Sequence, residues 1–235
     1  MKIAIMQPTY LPWMGYFALM DQCDVFVFLD SVQFEKRSWQ QRNKIKTPRG
    51  DLILSVPVIS KGRFDQEIRE VEIDTSKGFQ EDHLKAIKYN YSKTKYFKQF
   101  ISDLESIFLK KHRFLVDLNI ELILWIKNVL NIQSQIFRSS NLAVSGQKGE
   151  LLVNICKNLG AEHYISPQGA KVYIEGTNIF QTNNVELSYQ EFQHPVYVQL
   201  FDGFLPYLSV IDLLFNEGEK SLGVIRSGHI ARGRV

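Results

Sequence analysis

The sequence predicts an α/β fold with a central, mostly parallel sheet. Short apolar runs at Ile3 to Met6 and within Asp24 to Asp30 lack polar alternation, as strands covered on both faces require. A helical pattern lies between them, and the order strand, helix, strand recurs over Ile132 to Phe137, Gly149 to Leu159 and His163 to Ser166. The 235 residues, 45% hydrophobic, suffice for a substantial core and are read as one α/β domain over residues 1–235.

The first strand breaks at Gln7-Pro8, and a helix carrying Trp13, Phe17, Leu19 and Met20 follows. The turn between them falls at the strand's carboxyl end and the helix's amino end, where open α/β sheets bind ligands and free helix N–H groups favour an anion. Gln7, Thr9, Tyr10, Trp13 and Tyr16 make it unusually polar and aromatic, and Gly15 allows close approach in the first helical turn. The plainer alternative is that Pro8 and Pro12 only shape a turn that binds nothing. Asp30 ends the second strand, on the same edge as Gln7 if the two run parallel.

Pro48 and Gly50 mark a turn between two segments expected to pair as a hairpin. Lys36, Arg37, Arg42, Lys44 and Lys46 make this the most cationic stretch, with Phe34 and Trp39 interleaved and Gln33 and Asn43 beside them. Arginine forks suit phosphate or carboxylate; a solvated basic surface is the alternative. Ile68 to Ile73 alternates apolar and charged residues and predicts a strand with one wet face.

Residues from about 79 to 130 read as a helical insertion, with stripes Leu84, Ile87, Tyr91, then Phe97, Ile101, Leu104, Phe108, then Leu115, Leu118, Leu122, Trp125. After the strand near Ile132 to Phe137, Ser139 and Ser140 could donate to a ligand or turn the chain. Gly160 stops the Gly149 to Leu159 helix, and His163 to Ser166 is read as the last strand. The Pro167-Gln-Gly-Ala170 loop at its end is a second candidate site segment, bringing in Ser166, Gln168 and Gly169. Pro206 and Gly218 bracket a final helix, with Ser209 and Asp212 as surface or cap groups, and the last dozen residues, with Arg226, Arg232 and Arg234, are expected to form a mobile basic end.

A formal charge of +3 disfavours nucleic acid as a partner, although the basic hairpin keeps a binding module of that kind as a weaker alternative with steep salt dependence. Apolar stretches such as Ile120 to Ile126 are too short to span a bilayer and no secretion signal opens the chain, so a cytoplasmic protein without membrane insertion is expected. Cys23 and Cys156 are too few for a disulfide framework, and the five histidines lack metal-ligand spacing. No G-x-S-x-G elbow or interpretable pair of catalytic carboxylates is present, so any catalysis would rest on positioning and electrostatics.

Gln7-Pro-Thr-Tyr-Leu-Pro-Trp-Met-Gly-Tyr16, Asp30-Ser-Val-Gln-Phe34, Trp39-Gln-Gln-Arg-Asn-Lys44, Tyr164-Ile-Ser166 with Gly169, and Leu208-Ser-Val-Ile-Asp-Leu-Leu-Phe215 together resemble the WbqC-like protein family over nearly the full length. A more distant similarity is to HUP-class nucleotidyltransferases and synthetases, which implies a Rossmann-like sandwich. Of the HUP motifs, Gly15 and Ser166 carry over, while Trp13 and Tyr16 stand where histidines would stabilise a pentacoordinate phosphate.

The WbqC-like resemblance implies bacterial surface polysaccharide or O-antigen precursor synthesis, by nucleotide-dependent acyl or nucleotidyl transfer on a nucleotide-linked sugar or amino sugar. The implied cofactor is a nucleotide, ATP or CTP, with Mg2+. Gln7, Thr9, Tyr10 and Gly15 would hold phosphate or nucleotide, Asp30 would orient a hydroxyl or metal, and Arg37, Arg42 and Lys44 would neutralise phosphates. Pro8, Trp13, Tyr16, Gln33, Trp39, Asn43, Ser166, Gln168 and Gly169 complete the expected ligand site. The competing expectation is a non-catalytic protein that binds a nucleotide-sugar or a partner.

Overall fold

Strand β1 (Lys2–Met6) leads into α1 (Met14–Asp21) and then β2 (Val25–Phe28). The computed structural model describes residues 1–174, 176 and 178–230, Tyr173 by its backbone alone. An antiparallel hairpin, β3 (Arg42–Thr47) and β4 (Gly50–Ser55), precedes three helices, α2 (Phe79–Tyr91), α3 (Phe97–Leu109) and α4 (Leu115–Val129). Then come β5 (Gln135–Arg138), α5 (Gly149–Asn158), β6 (His163–Ser166), the short helices α6 (Lys171–Ile174) and α7 (Ile179–Thr182), β7 (Glu186–Tyr189), α8 (Val210–Glu217) and α9 (Ser221–Ser227).

The central sheet is parallel throughout, in the order β5-β2-β1-β6-β7. Its apolar strands are covered on both faces, as their lack of alternation requires. Ala4, Phe26, Phe28 and Ile165 pack with α1, α4 and α8, while Ile3, Ile5, Val25, Val27 and Tyr164 pack with α5 and α7. Helices on both faces of a parallel sheet make the fold Rossmann-like. None of the helices among the described residues is long and apolar enough to cross a membrane.

Ile68 to Ile73 is not a strand. Ile68–Glu70 forms one turn of 3-10 helix, capped reciprocally by the side chains of Glu67 and Glu70. Two acidic side chains three residues apart offer the backbone a local alternative to a ladder. Only isolated bridges, Val58 to Ile73 and Glu72 to Phe114, remain of the expected pairing.

His163 to Ser166 is not the last strand either. β7 pairs parallel to it at the sheet's edge, too short and too wet for a clear period. Asp212 is fully buried rather than a surface group, whereas Ser209 does cap α8, its hydroxyl oxygen accepting from the Ile211 N–H. The expected mobile end is built into the fold as far as residue 230. α9 buries Ile225, and the Arg226 guanidinium forks onto Asp21 at 2.7 and 2.9 Å. Arg232 and Arg234 lie outside the described residues.

Candidate functional site

From β1 the chain moves outward through β2 to β5 in one direction, then returns to the centre and moves through β6 to β7 in the other. β1 and β6 therefore flank the point where the winding reverses. The helices that follow neighbouring strands part there to opposite faces, which leaves a crevice at the strand tips. A cavity of about 920 Å³ occupies it, within the range of small-molecule sites.

Ile5, Leu29, Leu151, Leu152 and Tyr164 give the cavity an apolar floor. Its polar groups come from the loops after each strand: Gln7 and Thr9 after β1, Gln168 after β6 and Gln190 after β7. Among the described residues, Lys148 at the head of α5 is the one cation that lines it, and no carboxylate or histidine does. Tyr16 donates its hydroxyl to the Gln7 carbonyl at 3.2 Å, and burial pushes its pKa well up, so it remains a neutral donor.

Trp13 forms one wall. A Cβ on Gly15 would overlap its indole, so glycine there lets the ring fold over the start of α1. Beyond the ring lie Phe192, His194 and Tyr207, with centroids 5.6, 6.1 and 5.4 Å away. His194 donates from Nδ1 to the Pro195 carbonyl and accepts the Tyr207 N–H at Nε2, and burial lowers its pKa. The segment between β7 and α8 is thereby fastened over the cavity's rim.

Seven residues anticipated for the site line this cavity: Gln7, Thr9, Trp13, Gly15, Tyr16, Gln168 and Gly169. Pro8 and Tyr10 are buried behind the loop, where the Pro8 carbonyl accepts from Asn119 and the Tyr10 hydroxyl meets His83. Ser166 is buried, its backbone carbonyl accepting from the Gln190 N–H. Asn43 donates to the Tyr10 and Leu11 carbonyls at 3.1 and 2.7 Å and so braces Leu11, whose φ is 43°.

The hairpin cations are not brought to the cavity. Lys44 pairs with Asp51 at 2.6 Å, Arg42 lies over the half-exposed Trp39, and Arg37 points to solvent. Gln33 is exposed and donates to the Phe64 carbonyl. Asp30 is fully buried, accepting from Arg138 Nε at 2.7 Å, the Ser140 amide at 2.9 Å and the hydroxyls of Ser139 and Ser140 at 3.1 and 2.8 Å. Burial raises its pKa, but these donors outweigh burial and hold the carboxyl below its ordinary value.

Lys148 and Gln190 were not anticipated. Gln190 directly follows β7, so assigning that strand would have singled it out by the same strand-tip rule that singled out Gln7. Lys148 sits one residue before α5, a position marked in the sequence only by the flanking Gly146 and Gly149.

The sequence model of the WbqC-like protein family matches residues 7–224, which includes every cavity-lining segment after β1. The chain is 35% identical over 227 residues to the uncharacterized protein Rv1507c of Mycobacterium tuberculosis (strain H37Rv), covering 96% of this chain and 97% of that one. No solved structure matches it. A match over residues 7–224 together with a full-length relative shows that this chain belongs to the WbqC-like protein family.

Proposed function

We propose that the cavity at the winding reversal binds a nucleotide-linked sugar or amino sugar, and that the protein acts on it in making a surface polysaccharide or O-antigen precursor. The observation that carries this reading is the composition of one cavity: an apolar floor, glutamine amides from three strand tips and, among the described residues, a single cation, Lys148. Apolar walls suit a base, amides suit hydroxyls or an N-acyl group, and an ammonium suits phosphate.

A nucleotide fits this lining. Among the described residues no carboxylate lines the cavity and no cluster of three or more metal-ligating side chains occurs, so none of these residues would hold an Mg2+ ion there. Nucleotide-dependent acyl or nucleotidyl transfer would here be promoted by alignment of the reacting groups and by Lys148 facing the phosphates. Arg37, Arg42 and Lys44 do not line the cavity and are assigned no part in that step.

That no carboxylate or histidine among the described residues lines the cavity favours a second reading, a binding protein without turnover. Incubating the protein with ATP or CTP, Mg2+ and a panel of amino sugars, with pyrophosphate and AMP as readouts, separates the two. Product above a Lys148→Met control supports the enzyme. Calorimetric binding of sugar nucleotides without product supports the binding protein.

A further inference from the structure

We infer that the glutamines of the cavity form a fixed hydrogen-bonding template for the neutral sugar end of the ligand, and that Gln40, which does not line the cavity, sets its polarity. This rests on the proposed sugar-nucleotide reading and goes further by giving the ligand a direction.

An amide side chain can present either end, so its orientation has meaning only when a group of fixed polarity anchors it. Here backbone groups anchor Gln40, Gln168 and Gln190, and Gln40 in turn anchors Gln7. The Glu35 N–H, a donor only, binds Gln40 Oε1 at 3.1 Å, so the other end of Gln40 is its NH2. That NH2 donates to Gln7 Oε1 at 2.9 Å, which leaves the Gln7 NH2 for the cavity. Gln190 Nε2 donates to the Gly15 carbonyl at 2.9 Å, and Gln168 Nε2 donates to the Gln190 carbonyl at 2.9 Å. Both are thereby left with a carbonyl oxygen that takes no protein hydrogen bond among the described residues. Gln190 is 7% exposed and lines the cavity.

The three glutamine side chains therefore offer one amino end and two carbonyl oxygens, all uncharged. Of these three groups a phosphate can use only the Gln7 amino end and would face two carbonyl oxygens, an unfavourable arrangement for an anion. Hydroxyls or an N-acyl group can use all three. The glutamines gather at the start of α1, through Gly15 and the Tyr16 hydroxyl, whereas Lys148 heads α5 on the opposite face of the sheet. The ligand lies across the strand tips with its sugar toward α1 and its phosphates toward α5.

Gln40 is buried, 2% exposed, and its backbone carbonyl accepts from Asn119 at 2.7 Å, so it is held independently of any ligand. It is a positioning residue: without it Gln7 loses its anchor and can turn either end to the cavity.

The test is calorimetry of wild type, Gln40→Met, Gln7→Met and Lys148→Met with UDP, UDP-glucose, GDP and GDP-mannose. The expected result is that Gln40→Met and Gln7→Met weaken the sugar nucleotides roughly five- to tenfold, the worth of about one neutral hydrogen bond, and change the free diphosphates less than about twofold. Lys148→Met weakens both classes. If Gln40→Met melts below the assay temperature, Gln7→Met carries the comparison. Equal weakening of sugar nucleotide and diphosphate by the glutamine variants, or no weakening, overturns the inference while leaving the binding reading intact. Wild-type protein that binds no sugar nucleotide overturns both.

Discussion

The Tyr10 hydroxyl lies 2.7 Å from His83 Nδ1, in a pocket closed by Phe79 and Phe108. This contact joins the loop after β1 to helix α2 from behind, so the loop that carries Gln7 and Thr9 toward the cavity is anchored in the core. Burial lowers the His83 pKa from 6.5 to about 4, although the backbone of Ser55 opposes the shift.

Because the folded protein resists protonating His83, the unfolded chain binds the extra proton between the two values, and stability must rise with pH across that window. The stabilisation is complete above pH 6.5, declines as pH falls, and is exhausted below about pH 4. The full span is worth about 3 kcal/mol. Urea unfolding of wild type and His83→Gln across this range checks it, and the difference between the two curves should fall toward acid pH by about that amount.

Asp30 and Arg138 tie the ends of β2 and β5 together outside the cavity. Asp30→Ala removes the buried acceptor of Arg138 Nε and of the Ser139 and Ser140 hydroxyls, while Arg138 keeps Asp117 at 3.5 Å. With the Arg138 side chain 30% exposed, the cost at neutral pH should be about 2 kcal/mol rather than the larger penalty of a sealed pair. Since the folded carboxyl titrates below its ordinary 3.8, its contribution is present above that value and lost as pH falls through the folded one. Calorimetric ligand affinity of Asp30→Ala at a temperature where it is folded should match wild type.

Gly15→Ala places a methyl where the Trp13 indole lies. The ring must leave the wall it forms with Phe192 and Tyr207, at a cost of about 1–3 kcal/mol. A lower melting temperature together with lost ligand binding is expected, whereas a variant that melts and binds as wild type would show that the ring has room to spare.

Much of this was readable in advance because it rests on period and punctuation. Ile3 to Met6 and Val25 to Phe28 are apolar on successive residues, and only a strand covered on both faces tolerates that. Pro48 and Gly50 announced the hairpin, and the strand-tip rule pointed to Gln7, Thr9, Gln168 and Gly169, which line the cavity. What stayed hidden depended on long-range partners. Arg42 and Lys44 are as cationic in sequence as Lys148, but only the tertiary fold decides which cation reaches the strand tips. Gln40 has no local signature, since its role comes from Gln7, 33 residues away in sequence.

The most direct test of the central claim fills the cavity without straining the chain. Gly169 lines it, has no positive φ, and a Cβ built there meets nothing within 4 Å, so Gly169→Trp can project an indole into the ligand's space from a relaxed backbone. Calorimetric titration of wild type and Gly169→Trp with the same sugar nucleotides should show binding by wild type and none by the variant, at an unchanged melting temperature in the absence of ligand. Equal binding by a folded Gly169→Trp would contradict the assignment of this cavity as the site.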